Sequence, residues 1–174
     1  MGQGSVGARK IEQLEDLQEA LSEGTEYAIC EYLPGNEYTI DCFTDRHGRL
    51  RTCHIRQRER IKTGISVRSS LIPMDDDVFD IAEKINTKLE FNGAWFFQLK
   101  KNIYGDYRLM EISPRIPGTM GVSRNLGINY PMLTLFNMWG YDVDIIDNKE
   151  EITLDRAFIS RYKINLSYHH VYFF

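Results

Sequence analysis

Short β-prone runs separated by turn-forming clusters constrain this chain more than any other feature. YAICEYL (27–33) and EYTIDCF (37–43) flank Pro34-Gly35-Asn36, and LRTCHIRQ (50–57) follows a second turn at Arg46-His47-Gly48. Connections this short predict antiparallel pairing, because a parallel crossover needs about a dozen residues or more. GAWFFQLKKN (93–102) and YRLMEIS (107–113) repeat the arrangement around Tyr104-Gly105-Asp106 and bring the expected sheet to about five strands.

Helical spacing appears in three places. Ile11, Leu14, Leu17 and Leu21 recur at steps of three and four, which predicts one amphipathic helix over 10–22. VFDIAEKINTKLEF follows Asp75, Asp76 and Asp77, an acidic first turn that complements the helix dipole. Pro131 opens a short apolar helix through Trp139. The fold class is therefore α+β, an antiparallel sheet of about five strands flanked by helices. Residues 61–72, with Lys62, Gly64, Ser66, Arg68, Ser69 and Ser70, show no clean period and read as a loop.

A chain of 174 residues suffices for one domain with a real core, and 43% apolar with 26% charged residues matches an ordinary globular protein. The net charge of −4 argues against nucleic acid as a partner, which would call for a basic surface. Neither a bilayer-length apolar run nor a secretory signal pattern is present, so no membrane partner and a cytoplasmic location are expected. Cys30, Cys42 and Cys53 match no metal or disulfide spacing and read as small apolar fillers on strands. His169 and His170 read as packing residues.

Three segments carry residues suited to chemistry. Gly2, Gly4 and Gly7, with Ser5 among them, could turn backbone N–H groups onto phosphate oxygens, although a loose chain start explains them equally well. Gln98 and Glu111 fall on adjacent strands, with Ser113 and Arg115 following Glu111 at alternate positions on one face. Oxygen donors in that pattern suit Mg²⁺, and a guanidinium beside them suits an anion; a plain surface Glu–Arg pair is the competing explanation. Around Pro34-Gly35, the backbone of Glu31, Tyr32 and Leu33 could read an adenine, while Glu37 could accept from ribose hydroxyls; an ordinary hairpin accounts for the same residues.

The order of these fragments resembles the ATP-grasp superfamily, in particular its carbamoyl-phosphate-synthase-like and biotin-carboxylase-like members, from about Gly2 to about Gly140. MEISPR (110–115) is similar to the family's E-I-N-P-R, ICEYLPGNE to its hinge, and GQGSVGARK to its glycine-rich phosphate lid. The resemblance implies an ATP-grasp C-terminal subdomain over 10–140 and a lid remnant over 1–9; outside it, residues 141–174 read as an aromatic tail or the start of a further domain. The resemblance also implies ATP with magnesium or manganese as cofactors, with Gly4, Ser5 and Gly7 near the phosphates and Glu31, Tyr32, Leu33 and Glu37 around the nucleoside. Gln98, Glu111 and Ser113 would hold metal, and Arg115 the reacting anion. Ser113 departs from the usual Asn and reaches less far. The implied activity is ATP-dependent ligation of a small-molecule carboxylate to an amine or thiol through an acyl phosphate. The basic residues that grip phosphate lie upstream of the matched segment in that family. The alternative is accordingly a non-catalytic partial domain, or a subunit needing a homo-oligomer or another partner to complete the cleft.

Overall fold

In the computed structural model, which describes residues 7–24, 26–62, 64–143, 159–160 and 163–164, period-two segments assemble into one antiparallel sheet. Its strands are β1 (Glu37–Thr44), β2 (Leu50–Lys62), β3 (Ile65–Ile72), β4 (Gly93–Lys101) and β5 (Tyr107–Ser113), in the order β3-β2-β1-β4-β5. Three helices accompany it: α1 (Leu14–Ser22), α2 (Asp76–Leu89) and α3 (Tyr130–Met138). A 3₁₀ segment, Met120–Leu126, precedes α3. Two two-residue strands, β6 (Ile159–Ser160) and β7 (Lys163–Ile164), pair with each other.

Alternation along the strands gives the sheet two unlike faces. On one, Tyr38, Ile40 and Cys42 of β1, Cys53 and Ile55 of β2, and Trp95, Phe97 and Leu99 of β4 form the main core, closed by Val78 and Ala82 of α2. That helix starts where Asp75 caps it, its side chain accepting from the Asp77 N–H at 3.0 Å. It ends at Glu90, whose φ of 49° is left-handed.

The other face is covered at one end only. Phe43 packs there with Met120, Tyr130 and Val143, so the 3₁₀ segment and α3 shield the stretch where Phe43 pairs with Ala94. Four residues along, Thr39 pairs with Gln98, and the face has become polar. The candidate site lies there.

Several expectations need correction. Residues 27–33 form no strand: Ile29 is 76% exposed, and the chain joins the sheet only at Gly35, whose N–H donates to the Lys101 carbonyl at 3.0 Å. The first hairpin therefore joins β1 to β2. The expected loop over 61–72 is replaced by the end of β2 at 61–62 and by β3 at 65–72. Ser66, Ser69 and Ser70 are buried there, with Ser66 and Ser69 bonded to each other, and bulges near Arg60 break the period that would have shown a strand. Five strands is thus the right number with one member exchanged. The first helix begins at Leu14 rather than at residue 10. Cys42 and Cys53 are buried as expected, whereas Cys30 is exposed because no strand forms around it. The third helix matches its expected span within a residue at each end. His169 and His170 and most of the tail lie outside the described residues.

Candidate functional site

β4 and β5 pair so that Gln98 stands opposite Glu111 and Phe96 opposite Ser113. Directly opposed residues bring their Cβ atoms within about 5.5 Å, so an amide oxygen and a carboxylate can converge on one point. The register shifts immediately beside this pair, between Gln98 and Leu99, and such a bulge re-aims a side chain at a strand edge. Glu111 is exposed, and its carboxylate makes no hydrogen bond or ion pair among the described residues.

Amide oxygen, carboxylate and hydroxyl together form a donor set that fits a hard cation. They bring one negative charge, and among the described residues no group of three or more His, Cys, Asp or Glu side chains gathers around one point. A divalent ion here would therefore complete its shell with water and phosphate oxygen.

Beside this edge the polar face carries a chain of contacts centred on Arg58. Its Nη1 donates to Gln98 Oε1 at 3.1 Å and to the Glu37 carboxylate, and its Nη2 donates to the Gly64 carbonyl at 2.6 Å. Guanidinium is a pure donor, so the Gln98 oxygen must face it. The Arg58 side chain is only 6% exposed, and its buried Nε has no partner. Lys100 Nζ stands 3.9 Å from the other Glu37 oxygen.

Arg115 lies over the Phe96 ring, 5.0 Å from its centroid. Arg58, Gln98, Arg115, Gly118 and Thr119 line a cavity of about 320 Å³ on this face. One wall is anchored from behind. Arg56, fully buried, binds both Asp41 oxygens through Nε at 2.6 Å and Nη2 at 2.7 Å, and donates Nη1 to Thr119 Oγ1 at 2.7 Å. Ser123 Oγ donates to Asp41 Oδ2 at 3.0 Å, and the Tyr130 hydroxyl donates to the Asp41 carbonyl at 3.1 Å. Burial, and next the Asp41 charge, push the Tyr130 phenol well above its ordinary value, so it stays a donor.

The nucleoside candidates lie in the extended segment before β1. Gly35 and Asn36 bond to Lys101 at the end of β4, and Glu31 accepts from Arg108 Nε of β5 at 3.1 Å. Glu31 and Tyr32 are exposed, Leu33 is half-buried, and Lys10 Nζ sits 4.6 Å from the Tyr32 ring centroid. The structure thus brings Glu31, Glu37, Gln98, Glu111, Ser113 and Arg115 onto strands β1, β4 and β5 and the segments attached to them. Gly7 stands apart in the N-terminal coil with φ 80°, and Gly4 and Ser5 lie outside the described residues.

Sequence reasoning missed Arg58, Thr119 and the Asp41–Arg56 pair. The signal was in RQRER (56–60), where Arg56 and Arg58, two apart on a strand, share a face, but only pairing with β1 shows which face.

The fold recurs in solved structures. Biotin carboxylase from Campylobacter jejuni, in a structure described as a β-γ-ATP complex, superposes with a TM-score of 0.60 at 15% identity, covering 66% of this chain and 27% of that one. N5-carboxyaminoimidazole synthetase from Staphylococcus aureus gives 0.65 at 16% identity, covering 76% and 38%. The phosphoribosylaminoimidazole carboxylase ATPase subunit from Aquifex aeolicus gives 0.55 at 16%, covering 66% and 36%. This chain thus spans well under half the length of each. No curated protein matches the sequence. Residues 23–159 match the family described as "ATP-grasp in the biosynthetic pathway with Ter operon", and the chain belongs to that ATP-grasp family.

Proposed function

We propose that this chain supplies the nucleotide and metal edge of an ATP-dependent ligase that activates a small carboxylic acid as its acyl phosphate, which an amine or thiol then displaces. The observation that carries this reading is the register of β4 on β5, which sets Gln98 against Glu111 with Ser113 one pair along. Bound magnesium or manganese would neutralise charge on the transferring phosphoryl group. Gln98 and Glu111 would hold that ion, with Ser113 reaching it directly or through water, and for this the Gln98 oxygen must share itself with Arg58 or leave that bond. Arg115, steadied on Phe96, presents its N–H groups to the carboxylate. The segment at Glu31, Tyr32 and Leu33 is the adenine edge. Glu37 accepts from ribose, and to do so it must share its carboxylate with Arg58 and Lys100. Gly4, Ser5 and Gly7 belong to the phosphate lid.

Among the described residues no helix is long and apolar enough to cross a membrane, and a cytoplasmic site of action is part of this reading. A second reading, a partial domain that acts only with a homo-oligomeric or other partner completing the cleft, is favoured by α1. Its Leu14 and Leu21 are 64% and 56% exposed, which leaves an amphipathic helix with an unburied apolar stripe.

Incubation of the protein with ATP, Mg²⁺, hydroxylamine and a panel of small carboxylic acids tests the ligase reading. Hydroxamate should form in step with phosphate release, and Glu111→Ala should lower both by at least about tenfold; no turnover at all by this chain alone is the outcome that the second reading expects. Phosphate release without hydroxamate for any acid would remove the acyl phosphate, and turnover indifferent to Glu111→Ala would remove the assigned edge.

A further inference from the structure

We propose that Cys42 and Cys53 are an oxidisable thiol pair, which a hydroperoxide closes to an intrachain disulfide that staples β1 to β2. The pair stands on strand register alone and owes nothing to the ligase reading.

Spacing along the chain gives no hint of it, because only folding brings the two cysteines together. Cys42 of β1 stands directly opposite Cys53 of β2, two residues along the core face from the opposed pair Ile40 and Ile55. Directly opposed residues hold their Cβ atoms about 4.5–5.5 Å apart, and the short end of that range meets the Cβ spacing of a disulfide. The thiols already face each other: the Cys42 S–H donates to Cys53 Sγ, with the sulfurs 3.7 Å apart. A disulfide holds its sulfurs about 2.05 Å apart, so closure asks for roughly 1.7 Å shared between two side chains. Among the described residues neither thiol has another hydrogen-bond partner. No group of three or more His, Cys, Asp or Glu side chains gathers among those residues either, so the pair is suited to a disulfide rather than to a metal.

Burial sets the route. Burial, and next the contact with Cys53, push the Cys42 thiol well above its ordinary value and keep it protonated. Cys53, 9% exposed against 0% for Cys42, meets the oxidant first. Only Phe43 and Thr44 separate Cys42 from the end of β1, and a register shift falls between those two residues. Local opening of this end of the hairpin admits a small peroxide while the rest of the sheet stays paired. The Cys53 thiolate attacks one peroxide oxygen and breaks the O–O bond. Its sulfur becomes a sulfenic acid, and the other oxygen leaves with the proton that Cys53 gave up, as water or an alcohol. The Cys42 sulfur then attacks the Cys53 sulfur. An S–S bond forms, the S–O bond breaks, and the Cys42 proton departs with the hydroxide as water. Two thiols have lost two hydrogens and two electrons, and one peroxide has been reduced. The bridge ties the strand that carries Glu37 and Asp41 to the strand that carries Arg56 and Arg58.

The test uses Cys30→Ser, which removes the exposed thiol and leaves the buried pair untouched. This protein is incubated with hydrogen peroxide in urea below its unfolding transition, then alkylated and read by intact mass and peptide mapping. The expected product has lost two hydrogens, takes up no alkylating agent and yields one cross-linked peptide joining Cys42 to Cys53. A phosphine reductant should reverse all three changes. The oxidised protein should melt at least about 3 °C above the reduced one, because the bridge restricts the unfolded chain. Two thiols that still alkylate, oxygen gained at either cysteine, or a link formed only between chains would overturn the pair. A melting temperature no higher after oxidation would overturn the staple.

Discussion

Asp41 and Arg56 are both fully buried, and burial of two charges is tolerated only where geometry and further hydrogen bonds repay the lost hydration. Here the carboxylate takes two guanidinium bonds and the Ser123 hydroxyl, while the third corner of the guanidinium meets Thr119. Asp41→Asn would keep the shape and remove the countercharge, leaving an uncompensated buried guanidinium. Urea denaturation should show a loss of about 3–5 kcal/mol, and a loss below about 1 kcal/mol would mean that the pair is not the anchor described here. The pair also marks a limit of sequence reading at this scale. Gln98, Glu111, Ser113 and Arg115 were legible because two adjacent strands and their period of two suffice to place them on one face. Arg58 and Arg56 depend on β1 lying between β2 and β4, and no local pattern states that strand order.

Among elements, the hairpin β1–β2, the strands β4 and β5, and helices α2 and α3 were legible from turns, caps and spacing. The segment 27–33 has strand composition but exposed side chains and no strand to pair with, whereas β3 hides behind buried serines and two bulges. Pairing rather than propensity decided both. Gly35 is where the extended segment meets β4. A Cβ there would lie 2.6 Å from the Lys101 Cβ and 2.7 Å from the Lys101 carbonyl oxygen, so the hydrogen bonds joining Gly35 and Asn36 to Lys101 require glycine. Gly35→Ala should cost about 1–3 kcal/mol and speed exchange of the Lys101 amide. An alanine variant with wild-type stability and unchanged exchange would show that the segment is not fixed to β4.

For the molecule as a whole, one asymmetry organises function. Both faces of a five-stranded sheet begin alike, but α2 covers the core side of β1, β2 and β4, while α3 and the 3₁₀ segment close only the end of the other that holds Phe43. The open remainder carries Glu37, Gln98, Arg58 and, across β5, Glu111. The function proposed for this chain requires that remainder to be a magnesium-dependent nucleotide edge. The direct measurement is calorimetric titration of the folded chain with a non-hydrolysable ATP analogue, with and without Mg²⁺, beside Glu111→Ala. Saturable binding that requires magnesium and weakens at least about tenfold in the variant is the predicted result. Binding that ignores magnesium, or that Glu111→Ala leaves unchanged, would contradict it.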